Sequence, residues 1–131
     1  MIYLDSSALL KLVHIEQETL ALRAWLDARP GAPLVSSELA RVEVIRATRR
    51  INEAALPTAV AVLAALDLVP MTTELLNAAG AIGGPGLRSL DAIHLASASS
   101  IGSALTSFVV YDHRLTNAAA AAGLDTVMPT A

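Results

Sequence analysis

Four acidic residues stand where an α/β protein can bring side chains together. Asp5 and Asp112 each directly follow a short apolar run, and Glu43 and Asp91 lie near the start of predicted helices. Carboxylates held close together repel, by roughly 4 kcal/mol per pair at 4 Å in a medium of effective dielectric 20. A divalent cation would offset this repulsion, and an all-oxygen ligand set favours Mg²⁺ or Mn²⁺ over Zn²⁺.

Each of these acids also has an explanation that requires no function. Asp5 and Asp112 could cap the helices that follow them, and Asp91 would be stabilised by the dipole of its own helix. Arg46 follows Glu43 by three residues, so the two could belong to a solvated ion-pair face. The four acids share a position at strand or helix starts, and this makes the set more specific than any one member.

Short apolar strands alternate with helical stretches along the chain. The sequence predicts strands at 2–4, 34–35, 68–70, 107–111 and 126–128. It predicts helices at about 5–13, 18–28, 37–51, 56–66, 72–81, 88–99 and 113–122. Thr72 and Ser89 are expected to cap their helices, and Gly123 is expected to end the last one. The alternation predicts a single α/β domain over 1–131, with a mostly parallel sheet covered by helices on both faces.

Composition excludes several classes of protein. The chain has 131 residues, a mean hydropathy of +0.56 and 16% charged residues, which rules out intrinsic disorder. The absence of cysteine excludes disulfides and thiolate metal sites. A net charge of −3 argues against a protein that coats nucleic acid by charge alone, although an enzyme with an acidic site remains compatible with it.

The chain gives no sign of membrane insertion or secretion. Its start has neither a basic leader nor a long apolar region, so we expect no secretory signal. The longest charge-free stretch, 92–111, is interrupted by His94, serines and Gly102, and is better explained as a helix followed by a strand. We therefore expect a cytoplasmic protein that does not contact membranes.

Four segments resemble the motifs of the PIN-domain ribonucleases. They lie, in chain order, at 2–11, 36–47, 90–98 and 109–115. Each contains one of the four acids, and their order and spacing cover nearly the whole chain. Within that family, the chain resembles the VapC-type toxins of bacterial toxin–antitoxin pairs.

The resemblance implies a PIN-like three-layer fold with sheet order 3-2-1-4-5 and a metal-dependent endoribonuclease activity. Asp5, Glu43, Asp91 and Asp112 would hold Mg²⁺ or Mn²⁺, with Asp5 and Asp91 as the most direct ligands. The metal would activate a water molecule and polarise the scissile phosphate. The resemblance also implies an RNA substrate, inhibition of translation and growth, neutralisation by a small cognate antitoxin, and a homodimer.

Three further residues are expected to support the site. Ser7 could orient a water molecule or a carboxylate, and Arg46, one turn after Glu43, could hold that acid or meet a substrate phosphate. Many members of the family carry a further acid where this chain has Asn117. The asparagine lowers the negative charge of the site, but its amide can still bind a metal or donate a hydrogen bond. His94, in the third motif, is expected to be a buried structural histidine rather than a general base.

The alternative is a catalytically silent interaction module with the same fold. Retention of four mutually repelling acids argues against it, and Asp5→Ala is expected to abolish cleavage while raising stability by relieving that repulsion. A phosphotransferase of the haloacid-dehalogenase type would need a second Asp where this chain has Ser7. A phosphate-binding loop is excluded because no glycine-rich segment ends in Lys-Ser or Lys-Thr.

Overall fold

The structure is a computed structural model that describes residues 1–130. Within them, five strands are present: β1 Ile2–Leu4, β2 Leu34–Ser37, β3 Asp67–Val69, β4 Ser107–Val109 and β5 Thr126–Val127. The α-helices are α1 Ser6–Val13, α2 Thr19–Asp27, α3 Ala40–Ile51, α4 Leu56–Ala64, α5 Thr73–Ala81, α6 Ser89–Ile101 and α7 His113–Ala121. Short 3-10 helices lie at Glu53–Ala55 and Gly102–Ala104.

The five strands form one parallel sheet in the order β3-β2-β1-β4-β5, which confirms the predicted topology. In the register, Ile2 lies opposite Leu34 on one side of β1 and opposite Ser107 on the other. The chain leaves β1 first toward β2 and later returns on the other side as β4. The carboxyl ends of β1 and β4 therefore meet at the switch point, where ligands bind in open parallel sheets.

Helices cover both faces of the sheet, as predicted. Alternate residues of β1 enter different cores: Ile2 and Leu4 pack with α1, α3 and α4, whereas Tyr3 packs with residues of α6 and α7. Tyr3 stacks on Phe108 with ring centroids 5.2 Å apart. Strands buried on both faces are usually nearly continuous apolar runs, and β1 has this pattern.

Two local predictions were wrong. The helix predicted from Ser37 begins at Ala40, because Ser36 and Ser37 extend β2 and pair with β3. Ser89 does not cap α6: Arg88 occupies that position, and its side chain makes no capping hydrogen bond.

Two others are confirmed. The Thr72 hydroxyl accepts a hydrogen bond from the Leu75 amide at 3.1 Å, and Gly123 follows α7 with a φ of +85°. Separately, no helix among residues 1–130 is both long and apolar enough to cross a membrane.

Candidate functional site

Asp5 is buried at the carboxyl end of β1, with only 4% of its surface exposed. It caps α1, since its Oδ1 accepts hydrogen bonds from the Ala8 amide at 3.0 Å and from the Ser7 hydroxyl at 2.6 Å. Burial raises the pKa of the Asp5 carboxyl, although the Ser7 hydrogen bond opposes that shift. The chain's own groups therefore compensate this anion incompletely, and a bound cation would stabilise it.

Ser7 connects this acid to the neighbouring strand. Its Oγ donates to Asp5 and accepts from the Tyr111 amide at 3.2 Å, two residues beyond β4. The hydroxyl thus fixes the orientation of the Asp5 carboxylate and ties α1 to the segment that leads to Asp112. Of the two roles considered for Ser7, the contacts support orientation of a carboxylate.

Glu43 lies in the first turn of α3. It was predicted to lie near the start of this helix. Its Oε1 accepts hydrogen bonds from the Ser6 hydroxyl at 2.5 Å and from Nε2 of His94 at 2.7 Å. Nδ1 of His94 lies 2.8 Å from the hydroxyl of Tyr3. Burial acts to raise the pKa of Glu43, but His94 and Ser6 outweigh it and hold that pKa below its usual value.

Asp91 and Asp112 are joined by one arginine. Nε of Arg88 lies 3.1 Å from Oδ2 of Asp91, and its Nη2 lies 3.2 Å from Oδ2 of Asp112. Asp112 also caps α7, because its Oδ1 accepts from the Leu115 amide at 2.9 Å. The side chain of Arg88 is 61% exposed, yet it pairs with both acids.

Two predicted supporting residues lie apart from these contacts. Arg46 makes no hydrogen bond or ion pair with Glu43 within residues 1–130, so the expectation that it holds this acid is not supported. Its side chain instead lines a cavity of about 310 Å³ with Arg49, Arg50 and Glu53. Asn117 is exposed on α7.

The donor set fits a hard divalent cation in its chemistry but is not assembled as a finished cage. In the described part of the chain, no three metal-capable side chains lie close enough together to hold an ion. One carboxylate oxygen each of Asp5, Glu43 and Asp91 has no hydrogen bond among those residues. None of these oxygens is fully buried, because every fully buried side-chain oxygen there has a partner. Each therefore keeps some contact with solvent, and oxygen is the ligand that Mg²⁺ and Mn²⁺ prefer.

Comparison with known proteins decides the family. Residues 2–121 match the PIN domain family. The chain belongs to the PIN-domain family. It is 47% identical over 131 residues to ribonuclease VapC35 of Mycobacterium tuberculosis, covering 98% of this chain and 97% of that protein. Ribonuclease VapC47 of the same organism is 44% identical over 134 residues, covering 100% of this chain and 98% of the relative. These relatives make it a VapC-type PIN protein, as the four motifs predicted.

Solved structures support the PIN fold independently. Mycobacterium tuberculosis VapC20, described as a toxin that cleaves the sarcin–ricin loop, superposes with a TM-score of 0.73 at 19% identity, covering 98% of this chain and all of that one. FitAB bound to a DNA fragment gives a TM-score of 0.72 at 17% identity, covering 98% and 95% of the two chains.

Sequence reasoning missed three contacts in this PIN site. Ser6 was treated only as part of a helix start, although it contacts Glu43. His94 was correctly expected to be buried, but its bond to Glu43 was not foreseen. Arg88 precedes Asp91 by three residues, and that helical spacing was the one local signal for its ion pair.

Proposed function

We propose that this protein is a metal-dependent endoribonuclease and the toxin of a toxin–antitoxin pair. The observation that carries the proposal is its 47% identity, over nearly the whole of both chains, to a protein named a ribonuclease. The site supports it, because Asp5 and Asp112 follow adjacent parallel strands while Glu43 and Asp91 lie in the first turns of helices.

Asp5, Glu43, Asp91 and Asp112 are the residues that would hold Mg²⁺ or Mn²⁺, with Asp5 and Asp91 as the most direct ligands. When bound, the ion would supply Lewis-acid polarisation of the scissile phosphate and activation of a water molecule.

The chain's own groups prepare the acids for that task. Ser7 fixes the rotation of the Asp5 carboxylate, and Ser6 with His94 fixes that of Glu43. Arg88 pairs with both Asp91 and Asp112 and offsets one of their two negative charges until the guanidinium is displaced. Since it is largely exposed, it can swing toward solvent or toward an RNA phosphate without unfolding its surroundings.

Asn117 and Arg46 complete the proposed site at its margins. Asn117 stands where many family members carry an acid, so the site has less charge with which to hold a second ion. Arg46 lies one turn beyond Glu43, exposed and free to meet a substrate phosphate.

The regulatory part of the proposal is a small antitoxin that places a basic side chain among the carboxylates. Its docking surface would lie near the first two helices, where Ile15 is 90% exposed and Leu20 is 79% exposed. We further propose that the toxin acts as a homodimer in the cytoplasm and stops translation and growth when the antitoxin is absent. Growth arrest on expression of the toxin alone, relieved by the antitoxin, tests this part.

The nuclease is tested by incubating total cellular RNA with wild type and with Asp91→Asn at several Mg²⁺ and Mn²⁺ concentrations, followed by end sequencing. Discrete cuts that require the metal and disappear in the variant are expected, and their positions identify the RNA target. Cuts that persist in Asp91→Asn would contradict the assignment of the site.

One observation favours the alternative of a silent interaction module. Arg88 already pairs with two of the four acids and reduces their repulsion, and a protein that never binds metal could keep its acids in this way. Such a module would cleave no RNA and bind no Mn²⁺, whereas the nuclease does both. A calorimetric titration of the wild type with Mn²⁺ separates the two.

A further inference from the structure

A buried chain of hydrogen bonds runs from the centre of the sheet to one of the four acids. It starts at the hydroxyl of Tyr3 in β1, passes through the ring of His94 in α6, and ends at Oε1 of Glu43 in α3. Tyr3 is fully buried and His94 is 2% exposed. Three separate elements thus meet in this chain, which reaches the site at Glu43 and at Ser6, whose Oγ lies 3.2 Å from Nε2 of His94.

The two ends of this chain determine which nitrogen of the His94 ring carries a hydrogen. An ionised carboxylate can only accept hydrogen bonds, so Nε2, 2.7 Å from Oε1 of Glu43, carries a hydrogen and donates it. A neutral imidazole has one donor and one acceptor nitrogen, so Nδ1 is left to accept a hydrogen bond from the Tyr3 hydroxyl, 2.8 Å away.

Glu43 receives two donors on the same oxygen. Ser6 Oγ and His94 Nε2 both bond to Oε1, which fixes the carboxylate in position and in rotation. Oε2 makes no hydrogen bond within residues 1–130 and is not fully buried, since every fully buried oxygen there has a partner. The arrangement holds one oxygen and leaves the other available as a ligand.

We propose that His94 is a positioning residue for the reaction: with its Nδ1 held by Tyr3, its Nε2 holds Oε1 of Glu43 so that Oε2 is presented to the divalent cation. This inference rests on the proposed function, in which Glu43 is a cation ligand. Partners of this kind around a metal site typically change metal affinity by about 10- to 100-fold when they are removed. His94 therefore acts on the site while touching neither cation nor RNA.

Two substitutions of His94 separate positioning from simple packing. In His94→Gln the side-chain amide nitrogen can reach the place of Nε2 and donate to Glu43. In His94→Asn the shorter amide reaches only the place of Nδ1, so it can accept from Tyr3 but leaves Glu43 without this donor. Both variants put a smaller polar group in the same buried space, so a purely structural role predicts similar consequences for both.

The experiment titrates each protein with Mn²⁺ by calorimetry and measures thermal unfolding without metal. We expect His94→Asn to weaken Mn²⁺ binding by about tenfold or more, and His94→Gln to lie clearly closer to wild type. The matched control is His14→Asn, because His14 bonds to Thr48 on the same helix as Glu43 but makes no contact with that acid. The control should bind Mn²⁺ as wild type does.

A second measurement reports on His94 without any metal. Nitrogen-15 NMR of the metal-free protein should show a hydrogen on Nε2 of His94, and Tyr3→Phe should disturb the ring signals. A ring with hydrogen on Nδ1 alone, or wild-type Mn²⁺ affinity in His94→Asn, would overturn the positioning role. A wild-type protein that binds no Mn²⁺ would instead overturn the proposed function, and with it any role of His94 toward a cation.

Discussion

Nη2 of Arg88 lies 3.2 Å from the carboxylate of Asp112, although the two residues are 24 positions apart. The same guanidinium holds Asp91 through its Nε, so a cation that belongs to the chain already sits against two of the four acids. An arginine that is 61% exposed forms ion pairs of small net strength, at most about 1 kcal/mol each. A dissolved divalent cation can therefore compete with it.

Replacing Arg88 should increase the affinity of the site for a divalent cation. Without the guanidinium, Mn²⁺ no longer has to break an ion pair with Arg88 before it binds Asp91 and Asp112. If the ion pair that must be broken is worth about 1 kcal/mol, Arg88→Gln should bind Mn²⁺ roughly fivefold more tightly than wild type. Calorimetric titration measures the effect, with Arg114→Gln as the control, since Arg114 is exposed on α7 and makes no ion pair in the described residues. Weaker Mn²⁺ binding by Arg88→Gln would mean that Arg88 helps to assemble the site.

Asp112 has two separable tasks. Its Oδ1 caps α7 through the Leu115 amide, while its Oδ2 faces Arg88. Asp112→Asn keeps a capping oxygen but loses the charge, so it should retain stability and lose RNA cleavage. Asp112→Ala loses both the capping oxygen and the charge. Its free energy of unfolding should be about 1 kcal/mol lower than that of the Asn variant, and it should unfold at a lower denaturant concentration. Full cleavage by Asp112→Asn, measured on the same RNA, would remove this residue from the site.

The buried carboxylate of Asp5 should make stability depend on pH. Burial raises its pKa above 3.8, so the folded state binds a proton more tightly than the unfolded state does. Ionised Asp5 therefore destabilises the fold above its folded pKa, and this cost disappears as the pH falls below the unfolded value. Asp5→Asn should be more stable than wild type at pH 7, with an advantage that shrinks toward pH 4. Urea denaturation at both pH values tests this.

Asp5→Ala should differ from Asp5→Asn, because it also removes the cap to the Ala8 amide. Loss of the cap lowers the free energy of unfolding by about 1 kcal/mol. This offsets the stability gained when the buried charge is removed. The expectation from sequence, that Asp5→Ala simply gains stability, ignored this cap. Equal stabilities of the Asn and Ala variants at pH 7 would show that the cap contributes nothing.

The strands of the sheet were predictable from the local sequence pattern where both of their faces are buried. A strand that is buried on both faces is usually a nearly continuous apolar run, and Ile2–Leu4 shows this directly. Ser36 and Ser37 gave the opposite signal, since hydroxyl residues are typical of helix starts. Their place in β2 depends on contacts such as the bond from Ser36 Oγ to the Leu4 carbonyl, 32 positions away, which no local pattern contains.

The candidate site also combines features that the local sequence shows with contacts that it does not show. The ends of apolar runs located Asp5 and Asp112, because the polypeptide that leaves a buried strand has to reach solvent at the sheet edge. The partners of the acids were not predictable in this way. His94 meets Glu43 across 51 positions, and only the packing of α6 and α3 at the sheet edge brings them together.

Arg46 remains a predicted phosphate contact, and the salt dependence of RNA binding tests it. Each phosphate neutralised on a single strand contributes about 0.7 to the slope of log affinity against log salt. In an Asp91→Asn background, which is expected not to cleave, Arg46→Gln should weaken RNA binding and reduce that slope by about 0.7. Arg23→Gln is the control, because Arg23 lies on α2 and bonds to the Leu12 carbonyl. Equal slopes for the Arg46 variant and its parent would mean that Arg46 meets no phosphate.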